Sequence, residues 1–472
     1  MNTIKTEFLW GGALAANQAE GGWSSHTRGP AVTDYLTRCE KGQQRKMILD
    51  DETLYFPNRE AIDFYGHYKE DVQMFGELGL KALRISMQWA RVFPNGDDSE
   101  PNESGLQFYD NLLDELEKQH ITPIVTLSHY DCPFALIEKN NGWADRNMVE
   151  KFLRFCKVLF TRYQKRVKYW ITFNEINVLT FENKHGLLNG GGVVDCEKEN
   201  VQTMSYQVLH HQFVASAKAV KLGKEINPDF QFGCMIAQLT AYPNTPNPKD
   251  MLMVQDFDLR SNHFCADVQV KGSYPFYMKS YFKKNKIELH MEPEDEAILA
   301  EGVVDFYSLS YYNSICIGTE KSDTESGNLV FGSKNPYLET TDWGWQIDPM
   351  GFRYAMKNIY NKYRIPLMVV ENGMGAKDEL LGGQVEDEYR IDYLRSHIAQ
   401  MSQTMAEGVD IIGYMIWSPI DVISNSTGEM DKRYGLIYVD LDNNGQGTLK
   451  RIKKKSFYWY KQVIASDGEE LE

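Results

Sequence analysis

Two short segments, nearly two hundred positions apart, each place a glutamate beside an amide: Thr172-Phe173-Asn174-Glu175 and Glu371-Asn372-Gly373. Each follows an apolar run that reads as a strand, Tyr169 to Asn174 and Leu367 to Val370, so both carboxyls stand where a strand finishes. Other reactive side chains occupy matching places. His129 ends the run Pro123 to His129, Tyr311 and Tyr312 end Phe306 to Tyr312, Trp417 ends Ile411 to Trp417, and Arg84 lies within Ala82 to Trp89. Two carboxyls brought together are the minimum equipment for cleaving a glycosidic bond, one to protonate the leaving oxygen and one to attack the anomeric carbon. Proximity separates their ionisation, because the first negative charge disfavours the second. A lone glutamate at a strand end is more often an ion-pair partner. Two of them, with His, Asn, Tyr and Arg alongside, favour chemistry.

Something must carry these strand ends to one place. Besides the runs above, strand candidates cover Phe8 to Ala13 and Gln231 to Ala237, which makes eight. Amphipathic stretches lie between them: Arg59 to Leu78, Leu106 to Gln119, Val149 to Gln164, Tyr206 to Glu225, Phe352 to Tyr363 and Glu386 to Ala406. In Val149 to Gln164, the residues Phe152, Phe155, Cys156 and Leu159 fall on one helical stripe. Apolar strands alternating with helices indicate a parallel sheet covered by helices, and eight of them fit closure into a (β/α)₈ TIM barrel. All carboxyl ends of such a barrel converge on one face. A doubly wound open sheet is the alternative. With no linker, composition break or low-complexity tract, residues 1–472 read as a single barrel domain. The longer connections Cys39 to Asn58 and Glu320 to Trp345 are expected over the barrel mouth. Asn189-Gly190-Gly191-Gly192 lacks the strand before it and the Lys-Ser/Thr after it that a phosphate cradle needs, and reads as a loop.

Composition removes several function classes. A net charge of −16 argues against nucleic acid and anionic membrane surfaces as partners. The basic run Arg451-Ile452-Lys453-Lys454-Lys455 is isolated and reads as a solvated segment. Seven cysteines, an odd number, are scattered without Cys-x-x-Cys spacing, which suits reduced thiols in a cytoplasmic protein. Met1 to Glu7 carries no apolar run of a secretory signal, and no run is long enough to span a bilayer. No ligand cluster calls for a metal or an organic cofactor; His210 and His211 are adjacent on a helix and cannot share one face. Association into a homo-oligomer is compatible with everything read so far.

The chain resembles glycoside hydrolase family 1 along its full length. The resemblance rests on Phe8-Leu9-Trp10-Gly11, Asn17-Gln18-Ala19-Glu20-Gly21, Leu83-Arg84-Ile85-Ser86, Arg91 to Gly96, Thr126 to Asp131, Trp170 to Glu175, Val369 to Gly373 and Lys432-Arg433-Tyr434-Gly435. It implies Glu175 as the acid/base and Glu371 as the nucleophile of a retaining mechanism, for which the carboxyls stand roughly 5–5.5 Å apart. It also implies a sugar site of Gln18, His129, Asn174, Tyr312 and Trp417. Tyr312 would hold the nucleophilic carboxylate, Asn174 the sugar's 2-hydroxyl, and Trp417 the floor of the ring. Arg84 is expected to keep Glu371 ionised. Trp345 resembles a platform on the aglycone side.

One departure from the family pattern bears on the substrate. Many relatives read Trp-Ser-x-x-Asp-Asn-Phe-Glu-Trp where this chain reads Trp417-Ser418-Pro419-Ile420-Asp421-Val422-Ile423-Ser424-Asn425. The carboxylate that usually accepts the 4- and 6-hydroxyls has become Ser424. A carboxylate would repel a 6-phosphate carrying roughly −1.5 to −2 charges, whereas a hydroxyl donates to it. Lys432 and Tyr434, at i and i+2, point the same way on an extended segment, with Arg433 opposite. This Ser/Lys/Tyr set resembles the phosphate site of the family's 6-phospho-glycosidases. Ser310, Asn425 and the segment Ser426 to Met430 resemble the 6-phospho-β-glucosidase branch. The implied substrate is a small phosphorylated β-glucoside, such as cellobiose 6-phosphate or an aryl β-glucoside 6-phosphate. The alternatives are an unphosphorylated β-glucosidase or β-galactosidase, a 6-phospho-β-galactosidase, and a non-catalytic sugar-binding barrel.

Overall fold

Eight short strands pair in parallel and in chain order until the first meets the eighth. The computed structural model describes residues 8–23, 28–39, 43–49, 51, 53–320 and 332–472. Met1 to Glu7, read above for a secretory signal, lies outside the described residues, as do parts of the two mouth connections. The barrel strands are Leu9–Ala13, Ala82–Ser86, Thr122–Ser128, Tyr169–Phe173, Gln231–Ala237, Phe306–Tyr311, Leu367–Asn372 and Ile411–Ile416. Gly11 sits opposite both Ala82 and Met415, which closes the sheet. A Cβ on Gly11 would stand 2.3 Å from the Ala82 carbonyl oxygen, so only glycine lets these backbones approach.

The helices between the strands bury one stripe each. In Met148–Tyr163, the side chains of Phe152, Phe155, Cys156 and Leu159 are wholly buried. Side-chain caps mark several helix starts: Asp63 accepts from the Gly66 N–H, and Asp348 accepts from that of Gly351 just before Pro349. One core cluster runs from Phe8 to Ile464. Two small sheets lie outside the barrel, Thr240–Pro243 with Ser314–Ile317 and Ile437–Val439 with Arg451–Lys453. Among the described residues, no helix is long and apolar enough to cross a membrane.

Two expectations are corrected. Asn189, Gly190 and Gly191 are the last turn of a helix, Lys184–Gly191, capped by Asn183 and ended by Gly192 at φ +60°. The left-handed glycine is the physical reason the run stops a helix rather than forming a loop of its own. The basic run near the C-terminus is largely paired. Arg451 is buried against Asp71 (2.9 Å), and Lys453 and Lys455 reach Glu77 and Glu388. Lys454 is wholly buried, donating to Asp421 Oδ1 and the Gly435 carbonyl at 2.7 Å each and pairing with Asp378.

That lysine anchors a larger network. Arg433 donates to Asp421 Oδ2 (2.9 Å), and Arg390 donates to Asp378 Oδ1 (2.9 Å) and to the Arg433 carbonyl (3.0 Å). Burial pushes the Asp378 carboxyl up, but Lys454 and Arg390 together hold it below the usual carboxylate range. Arg433 therefore points away from Lys432 and Tyr434 and fixes their segment from behind. Replacing Lys454 by Met leaves two buried carboxylates short of a cation. The expected outcome is a loss of about 3–5 kcal/mol in urea unfolding. An unchanged unfolding midpoint would show that the network carries no stability.

Candidate active site

Arg84, on the second strand, reaches across the barrel mouth with its guanidinium divided among three partners. Nε donates to Thr126 Oγ1 (2.9 Å), Nη2 to Asn174 Oδ1 (2.6 Å), and Nη1 to Glu371 Oε1. The other oxygen of Glu371 accepts from the Tyr312 hydroxyl at 2.6 Å. Glu371 belongs to the seventh strand, opposite Ser310 of the sixth, where a register shift after Leu309 interrupts the regular pairing. Such irregularities re-aim side chains at sheet rims.

Glu175 stands just past the fourth strand at φ +41°, a left-handed conformation uncommon for a residue with a Cβ. Its N–H points at Met235 Sδ (3.0 Å). Its carboxyl accepts from the Tyr130 hydroxyl on Oε2 (2.6 Å) and from Ser310 Oγ on Oε1 (2.5 Å). Glu175 and Glu371 line the same cavity of about 380 Å³, together with Gln18, His129, Asn174 and Tyr312.

The remaining sugar-site candidates also converge here. Gln18 donates to the Ile423 carbonyl (2.6 Å), which fixes its amide. The His129 ring stacks on Trp417 at 6.2 Å, and both line the cavity. Burial and the nearby Arg84 charge hold the His129 imidazole well below its ordinary value, so it is neutral and able to donate and accept at once. Its Nδ1 has no hydrogen-bond partner among the described residues.

Ser424, Lys432 and Tyr434 lie together at one wall. Tyr434 lines the cavity and hydrogen-bonds Ser424, while Ser424 and Lys432 are wholly buried against it. The Lys432 ammonium sits 4.0 Å from the Trp345 ring centroid and 5.7 Å from those of Trp343 and Tyr434. Trp345, read as an aglycone-side platform, thus lies over Lys432 and also packs on Tyr312 (5.3 Å between ring centroids). Both mouth connections reach the cavity, through Gln43 and Gln44 from one and Trp345 from the other.

Several contacts escaped the sequence reading. Tyr130 and Ser310 hold the Glu175 carboxyl, Thr126 holds Arg84, and Trp343 joins Trp345 around Lys432. Arg45, 4% exposed, hydrogen-bonds the Asn425 carbonyl (3.2 Å) and Asn58 (2.6 Å), bracing the segment that carries Ser424. Tyr130 and Ser310 had a visible signal, the first next to His129 at a strand end and the second in the run that ends at Tyr312. Among the described residues, no group of three or more His, Cys, Asp or Glu could hold a metal ion.

The electrostatics correct one expectation. Arg84 does favour the Glu371 carboxylate, but burial outweighs it. With the Glu175 charge adding to burial, the carboxyl is pushed up to about 7. The folded Glu371 keeps its proton up to about 7, whereas the unfolded side chain releases it near 4.5. Between those values the folded state binds more protons, so this group makes stability fall as pH rises. The unfolding free energy of the wild type minus that of Glu371→Gln should decline from pH 4.5 to 7. A level difference across urea titrations in that window would contradict the assignment.

With this geometry established, comparison with known proteins is informative. The family model described as Glycosyl hydrolase family 1 matches residues 1–469. The aryl-phospho-β-D-glucosidase BglH of Bacillus subtilis is 49% identical over 98% of each chain. The 6-phospho-β-glucosidase AscB of Escherichia coli is 44% identical over the whole of both. Among solved structures, a family 1 β-glucosidase from Thermotoga maritima superposes with a TM-score of 0.85 at 29% identity, covering 99% of each chain. A closed barrel with two carboxyls in its mouth and a family match across nearly every residue lead to one conclusion: the chain belongs to glycosyl hydrolase family 1.

Proposed function

We propose that the protein, a single barrel domain, hydrolyses β-glucosides phosphorylated on the 6-hydroxyl, releasing glucose 6-phosphate and an aglycone with retention of configuration. The observation that carries the reading is the Ser424, Lys432 and Tyr434 cluster at the wall of a cavity that also holds two carboxyls. A buried ammonium and two hydroxyls suit a phosphate, and the carboxylate that would repel it is missing from position 424. The protein's overall negative charge does not oppose this at contact, since long-range repulsion is screened beyond about 8 Å.

The chemistry follows from the pair. Glu371 attacks C1 while Glu175 gives its proton to the leaving oxygen, forming a glycosyl-enzyme. Glu175, now a carboxylate, takes a proton from water, which attacks C1 and frees Glu371. Tyr312 and Arg84 hold the attacking carboxylate in line. Asn174, fixed by Arg84, is placed to bond the 2-hydroxyl, and Trp417 and His129 flank the ring. The hydrolase names borne by relatives at 44–49% identity support the phosphorylated substrate.

Lys432→Ala is expected to lower kcat/KM on p-nitrophenyl β-glucoside 6-phosphate by about two to three orders of magnitude. Activity on the unphosphorylated glucoside should change little. Ser424→Glu should show the same selectivity, and equal losses on both substrates in side-by-side assays would refute the phosphate assignment. Proton NMR of the first-formed sugar is expected to show the β-anomer; an α-anomer would rule out the double displacement.

A further inference from the structure

The two carboxyls are held by different kinds of donor. Glu371 is met by a guanidinium, Glu175 by two neutral hydroxyls, and among the described residues Glu175 takes part in no ion pair. The hydroxyl of Tyr130 is not isolated, however. Arg84 Nη2 donates to Asn174 Oδ1 (2.6 Å), the Asn174 amide engages the Tyr130 hydroxyl, and that hydroxyl donates to Glu175 Oε2 (2.6 Å). Because the Asn174 oxygen is taken by Arg84, its NH₂ is the end that faces Tyr130. Every bond in this chain therefore runs in one sense, away from the guanidinium. Arg84 touches Glu371 directly and reaches Glu175 through two intermediaries.

The two hydroxyls on Glu175 are not equivalent. Ser310 is 1% exposed and stands outside the cavity lining, whereas Tyr130 is part of that lining. Oε2 is thus the oxygen held on the cavity side. Burial and the adjacent Glu175 charge keep the phenol protonated far above any working pH. A hydroxyl can also accept, so it can follow the carboxyl through both protonation states, which a guanidinium cannot.

We propose that Tyr130 is a positioning residue that couples Glu175 to Arg84, and through it to Glu371, and so strengthens Glu175 as the acid of the first step. This rests on the roles assigned above to the two glutamates. In that step the Glu175 proton passes to the glycosidic oxygen as the C1–O bond breaks and the Glu371–C1 bond forms. The carboxylate left behind receives the Tyr130 hydrogen bond, aligned by Asn174 and Arg84. The other charged or titratable groups around Glu175 are Glu371, Tyr312 and, along the cavity walls, His129, His185 and Tyr434. Removing one phenolic oxygen substitutes none of them.

Tyr130→Phe keeps the ring and asks nothing new of the backbone, which has φ +61° at this position. The test is the pH dependence of kcat/KM on aryl β-glucoside 6-phosphates that differ in leaving-group acidity. Loss of a donor to the carboxylate should move the alkaline limb up by about one pH unit. Poor leaving groups should lose roughly tenfold, and activated ones little. Incorporating 3-fluorotyrosine at 130, a stronger donor of nearly the same size, should move the limb down, and it serves if the Phe variant does not fold. A stationary limb, or a uniform loss across all leaving groups, overturns the proposal. Glu175→Gln, run in parallel, separates the two readings. Full activity of that variant on poor leaving groups would remove the acid role itself, whereas an inactive Glu175→Gln beside an unshifted Tyr130→Phe would overturn only the coupling.

Discussion

Arg84 is buried at the barrel mouth, and its guanidinium is divided among Thr126, Asn174 and Glu371. A buried cation is tolerated only if its donors are satisfied, so the ends of three other strands must arrive in register around it. The closed parallel sheet meets this demand. Its strands are adjacent in chain order, and their carboxyl ends share one rim. The Glu175, Ser310 and Tyr312 contacts follow from the same closure. A shift of any one strand would strand a charge rather than merely loosen a contact.

The wall formed by Ser424, Lys432 and Tyr434 obeys the same logic one layer out. Lys432 is held among aromatic rings, while its neighbour Arg433 is tied to Asp421 and, through Lys454 and Arg390, to Asp378 and Asp387. Alternation along an extended segment sorts two cations into two environments. One faces the cavity wall and the other a lattice of carboxylates. The rigid outer network means the inner lysine's position is set by covalent connection to a fixed point rather than by its own contacts alone.

Much of this was legible in the chain, for physical reasons that differ by feature. The eight barrel strands are largely apolar on both faces, so their runs stand out between amphipathic helices, and all eight are legible to within three residues of their observed ends. Asn174-Glu175 and Glu371-Asn372 were visible because a parallel barrel makes strand ends equivalent. The four short strands outside the barrel were missed, being three or four residues each without alternation to mark them. The run Arg451 to Lys455 looked solvated because a sequence displays the sign of a charge and not its partner. Asp71 lies 380 positions from Arg451, and Asp421 lies 33 from Lys454. Whether Arg84 or burial governs Glu371 was equally hidden, since both act on the same carboxyl in opposite directions and only the depth of the cavity decides.

The closing seam of the barrel joins Leu9–Ala13 to Ile411–Ile416, and the last helix, Lys455–Ala465, places Tyr460 against the Gly11 carbonyl (3.0 Å). During synthesis, one edge of Leu9–Ala13 therefore stays unpaired until Ile411–Ile416 has been made. Until then its open edge is a template for wrong pairing, and a chain this dependent on distant pairing acquires its shape late.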